Sequence, residues 1–321
     1  MYEKITLPNG VRIVHEAVPA VRSCALGIWV GTGSRHETAA MSGASHFIEH
    51  MVFKGTHTRS ARDLARIMDG IGGQINAFTT KECTCFHGRC LDTHLPEMRD
   101  VLCDMFFNAR FDESDVENER GVIYEEIDMY RDSPEDYLSD VLAAAVFKGC
   151  TLSRPILGKK STLERMTGKT LLEYKQARYG AERVVVALAG SYPASEIDAL
   201  CQLFSSIPPS REDAFTPAKY TPAVVARKKP FEQNHFKLAF PGVRAADPDR
   251  FAMQLLSDIL GGGMSSRLFQ TVREERGLCY SIYSYGSSYI DTGLLCVYTA
   301  TNRETEDQAL ALIVEEIKKI K

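Results

Sequence analysis

His46, Glu49 and His50, within the run His46-Phe47-Ile48-Glu49-His50, put two imidazoles and a carboxylate into one short segment. On a helix, residues four apart project from the same face, so His46 and His50 would stand together. Two neutral imidazoles are two of the three protein ligands that a catalytic zinc ion usually takes. Glu49 follows His46 by three positions and reaches the same face, within range of a water at such a metal. The order H-x-x-E-H inverts the commoner H-E-x-x-H and is the inverted-zincin signature. The forward motif is absent, because His36-Glu37 has no second histidine four residues on.

A helix must position this trio, and its surroundings supply one. Ser42 is a candidate N-cap, and Ala44, Phe47, Ile48, Met51 and Val52 recur at helical spacing. Gly55 sits where a C-terminal stop is expected. A third ligand has to come from elsewhere, and the acid-rich segment Asp115 to Asp132 reads as a second helix. Its apolar stripe is Val122, Ile123, Ile127 and Tyr130. Glu119 and Glu126 flank the stripe, whereas Glu125 lines up with Asn118, Gly121 and Asp128 on the solvent side. Glu126 is therefore the better ligand candidate, and Glu119 could hold a histidine or the substrate. One glutamate on an amphipathic helix is most often its wet edge; two that flank the core fit that account less well.

Three runs in order, ASHFIEHMVFKGT, GGQINAFTTKECT and ENERGVIYEEI, give the chain a resemblance to the pitrilysin family of metallopeptidases. That family includes insulin-degrading enzyme and the catalytic subunit of the mitochondrial processing peptidase. The chain is most similar to its half-length, bacterial processing-protease-like members, and the resemblance spans essentially the whole sequence. It implies that His46, His50 and Glu126 bind one Zn2+ per chain, that Glu49 is the general base, and that Glu119 is the family's second acidic position. It places Asn76 and Ala77, in the N-A-F-T run, beside the scissile bond on a strand that could pair with substrate. It also implies roles for Arg273 and Tyr280 in VREERGLCYS, closing over the substrate from the second half. Alone, these two would read as a surface arginine and a strand tyrosine. A guanidinium can nevertheless donate to peptide carbonyls, and a phenol can stabilise an oxyanion.

The implied reaction is hydrolysis of short or unfolded polypeptides. Zinc lowers the pKa of its water toward about 7, and Glu49 takes the proton and passes it to the leaving amine. The resemblance further implies a homodimer or a dimer with an inactive homologue. The alternative is a catalytically silent structural or partner subunit of the same fold, against which the intact His46, Glu49, His50 and Glu126 argue.

Composition is that of an ordinary globular protein: 321 residues, 44% hydrophobic, 25% charged. A net charge of -4 gives no case for nucleic acid. No apolar run approaches the roughly eighteen residues of a membrane span, and Val184 to Ala189 suits a buried strand. The opening MYEKITLPNGVRIVHE reads as strand and turn rather than a signal or transit peptide. With nine irregularly spaced cysteines it favours a reducing, cytoplasmic setting. Cys83, Cys85 and His87 alternate along a strand, with Cys90 beyond, but no C-x-x-C pair supports a second metal site. Gly261-Gly262-Gly263 lacks the Gly-Lys-Ser/Thr ending of a phosphate loop.

The fold expected is α+β: two tandem homologous domains, each a mostly antiparallel sheet packed with helices. Strands at Ile5 to Val14 and Cys24 to Val30 precede the histidine helix. A helix capped by Ser60 and Asp63 follows, then strands from Gln74 to Leu91, a helix from Leu95 to Ala109, the acidic helix, and a strand at Arg183 to Ala189. Prolines 208, 209, 217, 222 and 230 mark a linker, giving a metal-binding domain over 1–215 and a metal-free one over 216–321. In the second, a strand at His235 to Phe240, helices at Arg250 to Leu260 and Ser265 to Arg276, strands through Tyr280 to Tyr298 and a helix from Thr305 repeat the order. The segment Met253 to Ser257, matching the histidine helix, has no metal ligand. Measured against the first unit, the second is short by roughly ninety residues and reads as truncated.

Overall fold

The computed structural model describes residues 1–209 and 216–320. Contacts divide the chain into two compact units, Met1–Ile127 with Arg154–Phe215, and Asp128–Ser153 with Thr216–Lys321. The division expected between 215 and 216 falls at the margin of 210–215, which lie outside the described residues. Residues 128–153 pack with the second unit rather than with the segment that precedes them.

The first unit is built on a six-stranded sheet. Its strands are β1 (Glu3–Thr6), β2 (Arg12–Ala17), β3 (Ser23–Val30), β4 (Gln74–Thr79), β5 (Thr84–Leu91) and β6 (Val184–Gly190). Their order is β1-β2-β6-β3-β5-β4, with β2 and β6 parallel and every other pair antiparallel. Alternation on β3 turns Cys24, Leu26, Ile28 and Val30 toward the core, as the two-residue period of a strand requires. Against that face pack α1 (Ala44–Met51), α2 (Ala61–Gly70), α3 (Leu95–Asn108) and α4 (Glu113–Asp132), and later α6 (Lys160–Leu163), α7 (Gly168–Arg178) and α8 (Ala194–Phe204). Ser60 and Asp63 form the reciprocal capping box at the start of α2.

α1 is held by Phe47, Ile48 and Met51, all fully buried. Each contributes about 1.5–3 kcal/mol by leaving water. Ser42 does not cap it: the N-cap is Gly43, in the left-handed region at φ 99°, and no side chain of its own meets the first turn. Gly55, at φ 112°, follows the turn after Met51. On α4 the buried residues are Val116, Glu119, Ile123 and Ile127, while Val122 and Tyr130 are exposed. The buried face thus runs through Val116, Glu119, Ile123 and Ile127 at spacings of three and four residues, and Val122 and Tyr130 fall outside it.

The second unit contains α5 (Pro134–Val146), β7 (Asn234–Pro241), α9 (Arg250–Gly261), β8 (Cys279–Ser288), β9 (Gly293–Thr301) and α10 (Glu306–Lys319). Its antiparallel sheet runs β7-β9-β8. Leu260, Leu268, Val272, Ile282, Val297, Ala309 and Ile313 fill one face, and Phe147, Leu294 and Cys296 belong to a cluster on the other. The helix expected over Ser265 to Arg276 is mostly a π-helical turn, Phe269–Glu274. The order β7, α9, helical turn, β8, β9, α10 repeats β3, α1, α2, β4, β5, α3, so the chain is two mixed α+β units of one plan. Among the described residues, no helix is long and apolar enough to cross a membrane.

Candidate metal centre

α1 brings His46 and His50 onto one face, their Nε2 atoms 3.3 Å apart. α4 supplies Glu126, whose Oε2 lies 3.5 Å from each of those nitrogens. At that distance it makes no proper hydrogen bond to either, and it is buried without a hydrogen-bond partner among the described residues. Three donor atoms therefore form a triangle with edges of 3.3, 3.5 and 3.5 Å. A tetrahedral ion with bonds of about 2.0–2.1 Å holds its ligands about 3.3–3.4 Å apart, so the residues fit zinc. No other group of three metal-capable side chains is found among the described residues, and Cys83, Cys85 and His87 do not form one.

The surroundings fix the ligands and set the charge. His50 Nδ1 donates to Glu119 Oε1 at 2.8 Å, leaving Nε2 for the triangle. Glu119 Oε2 in turn accepts from Lys54 Nζ at 2.5 Å. Burial raises the Glu119 carboxyl, but His50 and Lys54 outweigh it and hold the group below the ordinary carboxylate range. Burial likewise raises Glu126, and the two histidines outweigh it. His46 is lowered to about 4, by burial and then by its neighbour His50, and so is a neutral imidazole. For His50 burial acts downward, yet Glu119 and Glu126 lift it to about 9. Two carboxylates around one imidazole make a place that attracts positive charge, whether proton or metal ion.

Glu49 stands beside this triangle. Its carboxyl is raised, chiefly by burial, and its Oε2 accepts from the Thr79 hydroxyl at 2.5 Å. A raised carboxyl suits proton transfer near neutral pH. Thr79 reaches it from β4, an edge strand of the sheet. Asn76 and Ala77 are on the same strand, and Asn76 Oδ1 accepts from the Ala77 amide at 2.8 Å. Asn76 also lines an open cavity of about 680 Å³ with Trp29, His87 and Arg89, on the face of the sheet turned away from the core. Glu125 is exposed.

Arg273 and Tyr280 meet each other in the second unit. The guanidinium lies 4.8 Å from the Tyr280 ring centroid and 4.5 Å from that of Phe269, and Tyr280 is 76% exposed. In α9, the counterpart of α1, no metal cluster forms. Sequence reasoning passed over Lys54, Thr79 and Glu37. Two left a signal: Lys54 is four residues past His50, and strand alternation puts Thr79 on the face of Ile75 and Ala77. Glu37 left none, since only the fold brings it to Gly43 and Ser45.

Residues 12–160 match the family model described as insulinase, peptidase family M16, and residues 165–321 match that of the peptidase M16 inactive domain. The uncharacterised zinc protease YmxG of Bacillus subtilis is 44% identical over all of this chain and 79% of its own length. An uncharacterised zinc protease of Streptomyces coelicolor is 41% identical, over 98% of this chain and 71% of its own. In fold, the chain is similar to the crystal structure of a peptidase M16 inactive domain from Pseudomonas fluorescens, at a TM-score of 0.92 and 20% identity, covering 99% of this chain and 79% of the other. With both halves matched by models of one family and a full-length likeness at 44% identity, the chain belongs to the insulinase family of peptidases, family M16.

Proposed function

We propose that this chain is a zinc-dependent endopeptidase that hydrolyses peptide bonds in short or unfolded polypeptides. The observation that carries the reading is the triangle of His46 Nε2, His50 Nε2 and Glu126 Oε2 with the half-buried Glu49 carboxyl beside it. The relatives' designation as zinc proteases supports it. When bound, zinc would supply Lewis acidity, polarising a peptide carbonyl and making a water acidic enough to be deprotonated near neutral pH.

The chain's own residues do the rest. Glu49 accepts the proton of the attacking water and returns it to the departing amide nitrogen, so that one C–O bond forms as one C–N bond breaks. Thr79 holds that carboxylate by its hydroxyl. Lys54 and Glu119 hold the His50 ring. The outer edge of β4, which pairs only with β5 among the described residues, offers main-chain groups for an extended peptide to pair with, near Asn76 and Ala77. Such pairing reads backbone rather than sequence, which suits polypeptides that are already extended. The family resemblance adds a pairing of chains, as a homodimer or with an inactive homologue; sedimentation of the purified chain tests it.

The deciding experiment is zinc content together with cleavage of a quenched, unstructured peptide, for the wild type and Glu49→Gln. The reading expects one zinc per chain in both proteins and cleavage only in the wild type, lost with a chelator. Equal cleavage by both would remove Glu49 from the mechanism. Absence of zinc from both would favour a silent subunit of the same fold.

A further inference from the structure

α1 begins on a residue that cannot cap it. A Cβ at Gly43 would stand 2.8 Å from Leu163 Cδ2 and 2.9 Å from the Leu157 carbonyl oxygen, so a capping Ser, Thr or Asp has no room. The first amides of a helix nevertheless need acceptors. One side chain upstream serves two of them. Glu37 Oε2 accepts from the Gly43 amide at 2.7 Å, and Oε1 from the Ser45 amide at 2.8 Å. Glu37 is only 3% exposed, and its own carbonyl accepts from the Arg154 guanidinium. His46 directly follows Ser45.

A helix as short as α1 does not hold its own geometry; its ends and its packing do so. Both Glu37 oxygens accept an N–H, which is the pattern of a carboxylate, and a negative charge at a helix N-terminus is favourable. Burial raises the Glu37 carboxyl to about 7 against the pull of the two amides. The amide of a glutamine would face one of the two N–H donors with another donor.

We propose that Glu37 is a positioning residue for the metal ligands: by clamping Gly43 and Ser45 it sets the first turn of α1, and so the place of His46 relative to His50 and Glu126. This rests on the metal reading given above. Because Glu37 touches no ligand, its effect on the metal would be transmitted through the backbone alone.

The test uses the whole chain, with zinc affinity measured by competition against a chromophoric chelator and the visible spectrum of the cobalt(II)-loaded protein. Glu37→Gln is expected to bind zinc about 10- to 100-fold more weakly, as with other partners that orient metal ligands, and to shift the cobalt bands. Glu196→Gln, which neutralises a buried carboxylate 3.3 Å from Arg99, controls for lost stability and should leave both readouts unchanged. Should Glu37→Gln fail to fold, Glu37→Asp serves: one methylene shorter, it reaches only one amide and should fall between. Wild-type affinity and an unshifted cobalt spectrum in the folded variant would overturn the proposal alone, as would equal losses in Glu37→Gln and Glu196→Gln. A wild type that binds no zinc would overturn the metal reading and this proposal with it.

Discussion

Glu119 touches two cationic or proton-bearing groups and no candidate metal position. Its carboxylate spans His50 Nδ1 and Lys54 Nζ. A glutamine there could still offer an oxygen to the imidazole, but its NH2 would turn toward the ammonium group, and the negative charge would be gone. Glu119→Gln is therefore expected to weaken zinc binding by about 10- to 100-fold. Lys54→Met should cost less, because it removes a charge from Glu119 rather than a bond from His50. Chelator competition on both variants checks the order, and an equal or larger loss in Lys54→Met would refute it. The seven-residue separation of Glu119 and Glu126 put both on one face of α4 from sequence alone. Lys54 left only its four-residue spacing from His50, a weak signal because it lies beyond the end of α1, where helical periodicity stops. Thr79 was hidden differently: its place on β4 was legible, but its partner depends on how the sheet edge lies against α1.

Elements were legible where one period ran long enough to be read. β3, β6 and β9 stand out as apolar runs, and α2 carries its own start signal in Ser60 and Asp63. Tertiary contacts decided what the pattern left open. The N-cap of α1 moved from Ser42 to Gly43 because a distant carboxylate, not the local residue, satisfies the first turn. Residues 128–153 went to the second unit although only Ser133 separates α4 from α5, since amphipathic spacing does not say which core a helix faces. β7 and β9 differ in the same way. Both are apolar, but β9 is buried along its whole length between two strands, whereas β7 is half-buried and pairs on one side only among the described residues. Outward amides on such an edge lack ladder partners. Hydrogen exchange on this chain should show alternate β7 amides exchanging much faster than those of β9. Uniform protection along β7 would mean that its edge is covered.

In the alkaline range, part of the pH dependence of stability comes from groups that the metal centre does not use. Lys175 is buried, its Nζ donating to the Phe106 carbonyl at 2.6 Å, and desolvation lowers it from 10.5 to about 8. Below pH 8 both folded and unfolded states carry the proton, so no slope arises. Between about 8 and 10.5 the unfolded state holds more protons, and stability from this group rises with pH. The full span is about 3 kcal/mol, at 1.36 kcal/mol per unit. Three buried thiols act in the opposite sense. Cys85, Cys90 and Cys103 are raised, chiefly by burial, from 9.0 to about 12. Above pH 9 the folded state keeps protons that the unfolded state has lost, and stability falls. Of these four groups one pulls upward from pH 8 and three pull downward from pH 9, so their joint contribution should crest between them and fall in stronger base. Lys175→Met removes the buried charge and leaves the Phe106 carbonyl without its donor, which returns about 1 kcal/mol of the gain. The variant should be the more stable protein at pH 7, and its advantage should shrink and then reverse as the wild type loses its proton. Denaturant unfolding from pH 7 to 10 measures this, and an advantage that stayed constant across that range would show that Lys175 does not titrate in the folded state.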